Sequence, residues 1–197
     1  MVKYYKSFRV EIIDELDSGL DTFELEALYQ NQYPKDLMIP EQKFKPTSIH
    51  GINISTNGVQ IVNALLSETA GKTIISEDSF IIKHDYLYII CSNYVYCLDI
   101  KTLSCKWRNQ FDWATCFGIY EFADAMVVHG ESTITMINSK GNTIWSFSGD
   151  DIFLNTEGEQ AFKIHNHQIQ LVDFNSNHYT LNANGELIKK ASNYRGS

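Results

Sequence analysis

The feature that most constrains this chain is a repeat in its C-terminal two-thirds. Three stretches can be laid on one another. In the first, residues 86–90 and 94–99 are followed by a turn at Lys101-Thr102 and then by Trp107. In the second, residues 125–130 and 134–138 are followed by a turn at Lys140-Gly141-Asn142 and then by Trp145. In the third, residues 167–171 and 178–182 are followed by a turn at Asn184-Gly185 and then by Leu187-Ile188. The landmarks Asp99, Asn138 and Asn182 stand 39 and then 44 residues apart.

Each unit has its own local logic. Two alternating strands end on an Asp or Asn, whose short side chain can bond the backbone of the turn that follows. Gly141 and Gly185 supply the positive φ that such turns need. A third strand then carries a large apolar residue. One unit of this size buries too little surface to persist alone, so its faces must stack on neighbouring units. A period near 40 with several short strands per unit is the mark of propeller blades. Trp107 and Trp145 are the expected wedges between blades.

The segment Cys97-Leu98-Asp99-Ile100-Lys101-Thr102-Leu103-Ser104-Cys105-Lys106-Trp107 resembles the docking motif of quinoprotein-type (PQQ-like) propeller blades. That motif runs small residue, apolar residue, Asp, two variable positions, Thr-Gly, three variable positions, Trp. Leu103 stands where the family prefers Gly. Residues 136–145 are similar but one residue shorter, and residues 180–189 match that length and end in Lys189. The resemblance covers about residues 75–190 and implies a fold of the WD40/PQQ-like repeat kind. Quinoprotein enzymes hold a calcium-bound quinone on the axis of a complete ring, and this chain has room for about three or four blades. The enzymatic role therefore does not carry over, and no cofactor is implied. A looser resemblance, through residues 112–120, 129–131 and 145–153, is to a group of small bacterial proteins.

The N-terminal region reads differently. Phe8, Val10 and Ile12 alternate with Arg9 and Glu11, and Phe23, Leu25, Ala27 and Tyr29 alternate with Glu24 and Glu26. Period-two alternation predicts a hairpin with one buried face, turning at Asp17-Ser18-Gly19. All three prolines, at 34, 40 and 46, fall in the next stretch, which predicts an irregular connection over residues 30–50. Ala64-Leu65-Leu66 fits a short helix or a strand. The expected architecture is thus all-β: a partial or small propeller-like stack of antiparallel sheets, about three to four blades, with an N-terminal β-hairpin. Residues 1–50 would hold the hairpin and the proline-containing connection, and residues 51–197 the repeats.

Composition narrows the partners. Of 197 residues, 13% are aromatic, with 11 Tyr and 11 Phe, which suits pleated surfaces. The formal net charge is −8 and the pI about 5.2. Such a chain is repelled by phosphate backbones and anionic membranes, and Lys189-Lys190 is the only adjacent basic pair. The expectation is no nucleic acid and no membrane, and a protein partner that is itself basic. No run approaches the roughly 20 apolar residues of a membrane span. The N-terminus lacks the apolar core of a signal peptide. Cys91, Cys97, Cys105 and Cys116 include no C-x-x-C pair, so a cytoplasmic protein with reduced, mostly buried thiols is expected.

Several constellations carry candidate chemistry. His165-Asn166-His167 would place two imidazoles on one face of a strand, where His178 or Asp173 could complete a divalent-metal site. The plainer reading, a polar strand edge or turn, is stronger because no third ligand is fixed by spacing. Asp173-Asn175-Asn177 lacks the Gly and Glu of a calcium loop and reads as a polar hairpin turn. Cys116, His129 and Glu131 would be a thiol, base and orienter, against the commoner outcome of a buried structural thiol. Trp113, Phe117, Tyr120, Phe147 and Phe153 read mainly as inter-blade core, with some of them available as an exposed patch. Glu131, Asp150, Asp151 and Trp113 are the candidate contact surface. The N-terminal acids read as the solvated side of the hairpin. No G-x-G-x-x-G, P-loop, H-E-x-x-H or G-x-S-x-G pattern occurs.

The sequence therefore favours a non-catalytic protein-binding module, with a toxin-neutralising immunity protein as its sharpest form. A metal-dependent protein or enzyme built on His165 and His167 is the alternative. A structural subunit that oligomerises through open sheet edges is the third reading.

Overall fold

The computed structural model describes residues 1–34, 45–154 and 160–192. Their strands fall into four sheets. Sheet I contains β1 (Val2–Tyr5), β2 (Phe8–Asp14), β3 (Asn31–Tyr33), β4 (Ser48–Thr56) and β5 (Val59–Glu68), with helix α1 (Thr22–Leu28) between β2 and β3. Its order is β1-β2-β4-β5-β3, antiparallel except for the parallel β3–β5 pair. Sheet II contains β6 (Phe80–Lys83), β7 (Tyr86–Cys91), β8 (Tyr94–Asp99) and β9 (Cys105–Gln110). Sheet III contains β10 (Cys116–Phe122), β11 (Ala125–Gly130), β12 (Ile134–Ile137) and β13 (Thr143–Phe147). Sheet IV contains β14 (Phe162–His165), β15 (Gln168–Val172), β16 (His178–Leu181) and β17 (Leu187–Ala191). Sheets II to IV are antiparallel meanders in chain order, the construction of a propeller blade. The molecule is all-β, a partial propeller-like stack. No described helix is long and apolar enough to cross a membrane.

Packing runs face to face along the series. Val10, Ile12, Ile52, Ile54 and Leu66 of sheet I meet Leu87, Ile89 and Leu98 of sheet II. Tyr88, Ile90, Val95 and Cys97 of sheet II meet Ile119, Met126, Val128 and Ile137 of sheet III. Val127 and Met136 of sheet III meet Phe162, Ile169, Leu171 and Leu181 of sheet IV. Strand β7 is apolar at every position because both of its faces are covered.

The repeat landmarks do what their chemistry requires. The Asp99 carboxylate accepts from the amides of Lys101 and Thr102 (3.0 and 3.1 Å). Asn138 accepts from Lys140 and Asn142, and Asn182 from Asn184 and Glu186. Gly141 and Gly185 have φ of +79° and +78°. Leu103, in place of the motif's glycine, also has a positive φ, 52°. A left-handed leucine costs roughly 1–2 kcal/mol, and its side chain, fully buried in the core between sheets I and II, offsets that strain.

An aromatic donor ties each sheet to the turn of the next. Trp107 donates its indole N–H to Ser139 O (3.0 Å), and Trp145 donates to Ala183 O (3.1 Å). Tyr33 plays the same part for sheet I, donating to Leu103 O (3.1 Å).

The N-terminal reading needs correction. The hairpin is formed by β1 and β2, not by residues 8–12 with 23–29. Residues 22–28 are helical because Asp21 and Glu24 form a capping box: Asp21 accepts from Glu24 N (2.8 Å) and Glu24 from Asp21 N (2.9 Å). Leu25 and Tyr29, four apart, are buried together on Ile49 and Leu65, whereas Phe23 is 80% exposed. The expected irregular stretch 30–50 contains β3 and the start of β4, and Pro40 lies outside the described residues. Residue 50 itself stands inside β4. Ala64-Leu65-Leu66 is strand.

Candidate functional site

Because the sheets are meanders, their connections sort onto two rims. We call upper the rim that carries the described links between successive sheets, residues 69–79, 111–115, 148–154 and 160–161, with the β7–β8, β11–β12 and β15–β16 turns. The lower rim carries the other turns, including those at Asp99, Asn138 and Asn182.

The upper connections are laced into one another by the backbone. Gly71 N donates to Ala114 O (3.0 Å), Glu131 N to Thr115 O (2.8 Å), Phe153 N to Glu131 O (2.6 Å) and Phe174 N to Ile152 O (2.8 Å). The closeness at Gly71 excludes a side chain there, since a Cβ would stand 1.7 Å from Thr115 Oγ1. Asp112 pins two connections together. Its buried carboxylate accepts from Ala114 N, Ser132 N, Ser132 Oγ and Thr133 N at 2.8–3.1 Å. The turn that Asp112 makes with Ala114 leaves Trp113 pointing outward, 72% exposed.

Trp113 is one of four large apolar side chains exposed along this lacing. The others are Ile74 (74%), Phe174 (52%) and Leu154 (38%). The same connections carry Glu77, Asp78, Glu131, Asp150 and Asp151 against Lys72. In the lower turns the large apolar residues Ile100 and Leu103 are buried, and Lys6, Lys101 and Lys140 stand against Asp85, Asp99, Asp124 and Glu186.

The structure brings Glu131, Asp150 and Asp151 together, with Trp113 on the adjoining connection. Asp150 pairs with Lys190 (2.5 Å), and Asp151 accepts from Ile152 N (2.8 Å) and Asn175 Nδ2 (2.7 Å). Ile74, Leu154 and Phe174 were not singled out from the sequence. Phe174 carried a signal, a large apolar residue between polar ones in Asp173-Phe174-Asn175, whereas Ile74 beside Ile75 and Leu154 beside Phe153 carried none.

His165 and His167 lie elsewhere, on the lower rim. Asn166 and His167 are the two turn residues of the β14–β15 hairpin, with φ of 50° and 58°. The two imidazoles therefore do not share a strand face. Among the described residues no three His, Cys, Asp or Glu side chains form a group able to hold a metal ion. Asp173 and Asn177 form the polar hairpin turn read from the sequence. Asp173 is buried, yet bonds from Asn177 and Tyr179 outweigh its desolvation and hold its pKa below the usual carboxylate value.

The Cys116–His129–Glu131 set has no catalytic poise. Burial pushes the Cys116 thiol far up and brings His129 down to about 4. His129 is stacked on Phe162 (5.1 Å), edge-on to Phe117 (5.3 Å), with Nε2 donating to Phe153 O (3.1 Å). Phe153 is core, and Phe147 and Tyr120 pack partly buried against it, as expected. A second charged group, Glu68 with Arg108, is self-satisfied between sheets I and II. Arg108 Nε and one terminal nitrogen reach the Glu68 carboxylate at 2.7 and 2.8 Å, Tyr96 donates to the same carboxylate, and the guanidinium lies 3.4 Å from the Tyr94 ring centre.

No protein-family model and no curated protein sequence matches the chain. Among solved structures it is similar to the Neurospora crassa Pan2 WD40 domain, at 11% identity and a TM-score of 0.46, covering 59% of this chain and 38% of that one. BamB from Moraxella catarrhalis matches at 12% identity and a TM-score of 0.45, over 75% of this chain and 46% of that one. A europium-containing methanol dehydrogenase matches at 16% identity and a TM-score of 0.45, over 58% and 24%. The chain thus spans less than half the length of each. These neighbours are WD40 and PQQ-type β-propeller proteins, and the propeller-like description of this chain rests on its own sheet order, register and packing.

Proposed function

We propose that this protein is a non-catalytic binding module that holds a basic protein partner against its upper rim. One observation carries the reading: every stretch that links successive sheets exposes a large apolar side chain, and the same rim is one-sidedly acidic. Exposed aromatic and aliphatic anchors in a laced, rigid frame supply the buried centre of an interface. The surrounding carboxylates attract a cationic partner and speed its approach. Loops held on a sheet scaffold are where such recognition is usually placed. A toxin-neutralising immunity protein is the most specific form of the proposal.

The test is capture of partners from a lysate and from the products of neighbouring genes, by the wild type and by a Trp113→Ala/Phe174→Ala variant. The proposal expects a basic protein retained by the first and lost by the second. Equal retention by both, or retention of acidic proteins only, would refute it.

A further inference from the structure

A different surface, at the two ends of the stack, carries an inference beyond the proposed binding role. Corresponding rows cross sheets II, III and IV on the side facing onward along the stack. In sheet II the row is Ile81, Tyr88, Cys97 and Trp107. In sheet III it is Tyr120, Val127, Met136 and Trp145. Both rows are covered by the next sheet. In sheet IV the row is Lys163, Gln170, Thr180 and Lys189. Lys189 stands where the docking tryptophans stand, and no described residue covers the row. It lines an open depression bordered by His178 and Ala191.

At the opposite end, too, no described residue covers the outer side, and the chemistry is opposite. Helix α1 lies on the outer face of sheet I through Leu25 and Tyr29. Its other side presents Phe23 (80% exposed), with Leu28 (59%) exposed on the flank and Leu20 (42%) just before the helix. The charges on this segment are all carboxylates: Asp21, Glu24 and Glu26. A solvated helix side has no use for a phenylalanine as exposed as Phe23, whereas a contact face does. The charges of sheet IV's row are both lysines.

We infer that the protein associates head to tail with a second copy of itself, the free side of α1 of one copy seated on the lysine-bearing outer face of sheet IV of the next. The occupant is a second copy because the two complementary surfaces are opposite ends of one chain. Such a contact is heterologous: it closes a ring if the rotation per copy allows and continues otherwise. The upper rim is not used by it and stays available to a partner.

The experiment measures the mass of the full chain in solution at about 0.01 M and about 1 M salt. Association is expected at low salt, weakening by about tenfold or more at high salt as the end charges are screened. Lys163→Glu/Lys189→Glu and Phe23→Asp should each be single copies with unchanged unfolding midpoints, since all three side chains are exposed. Mixing the two variants should restore a two-copy species, because each retains the end that the other lacks. A wild type that is a single copy at low salt overturns the inference. So do variants that stay associated, or a mixture that does not recombine.

Discussion

The two rims of this molecule are ends of the same strands, yet they are built on different terms. On the lower rim an Asp or Asn side chain closes the turns after β8, β12 and β16, and an aromatic N–H or O–H from the preceding sheet bonds those turns at Leu103, Ser139 and Ala183. Ile100 and Leu103, the large apolar groups of the Asp99 turn, are buried. On the upper rim the connections differ in length and sequence, are laced by backbone bonds, and leave Ile74, Trp113, Leu154 and Phe174 in solvent. The comparison teaches that repetition holds the sheets together at one rim and frees the other to vary. Substitutions should therefore separate by rim.

The largest effects are expected at the two docking tryptophans, Trp145→Ala among them. That substitution removes the donor to Ala183 and the ring that packs on Gly185 and on the core between sheets III and IV. A loss of about 3 kcal/mol, read from the urea unfolding midpoint, is expected. A comparable effect comes from pH. His129 is kept neutral down to about 4, while in the unfolded chain it protonates near its ordinary value of 6.5. Between those values the unfolded state binds the extra proton, so stability falls as pH drops through that window, by about 3 kcal/mol in all. His129→Gln, which can still donate to Phe153 O, should flatten that part of the pH–stability curve. A wild-type curve already flat between those values would remove His129 from the account.

Gly185→Ala should cost less, about 2 kcal/mol, because it combines a positive φ with a Cβ 2.4 Å from the Trp145 ring. An unchanged midpoint would mean that the turn does not hold the ring. The smallest stability effect belongs to the upper rim. Phe174→Ala should leave the midpoint within about 0.5 kcal/mol while weakening capture of a partner.

Much of the lower rim was legible in the sequence. Asp99, Asn138 and Asn182, with Gly141, Gly185 and the two docking tryptophans, recur because each turn solves the same local problem. The N-terminal sheet was legible only in part. Phe23, Leu25, Ala27 and Tyr29 satisfy a strand's period and, through Leu25 and Tyr29, a helix's. The capping box decides between them, and it is local chemistry that alternation overlooks. Tyr33 escaped notice because β3 joins sheet I by a parallel pairing that no repeat announces. The upper rim was half legible. Trp113, Glu131, Asp150 and Asp151 could be picked as polar or aromatic loop residues. Their shared surface, with Ile74, Leu154 and Phe174, depends on long-range lacing that no short motif encodes. His165 and His167 misled for a related reason: two residues apart on a strand share a face, but on a two-residue turn they do not.

The division of labour between rims is tested most directly by urea unfolding of two matched variants, Trp107→Ala and Trp113→Ala. Trp107 bonds Ser139 O and packs against Tyr88 and Phe111 (ring centres 5.9 and 6.4 Å), whereas Trp113 is largely in solvent. The account predicts a loss of about 3–5 kcal/mol for the first and less than about 0.5 kcal/mol for the second. Equal losses, or a larger loss for Trp113→Ala, would contradict it.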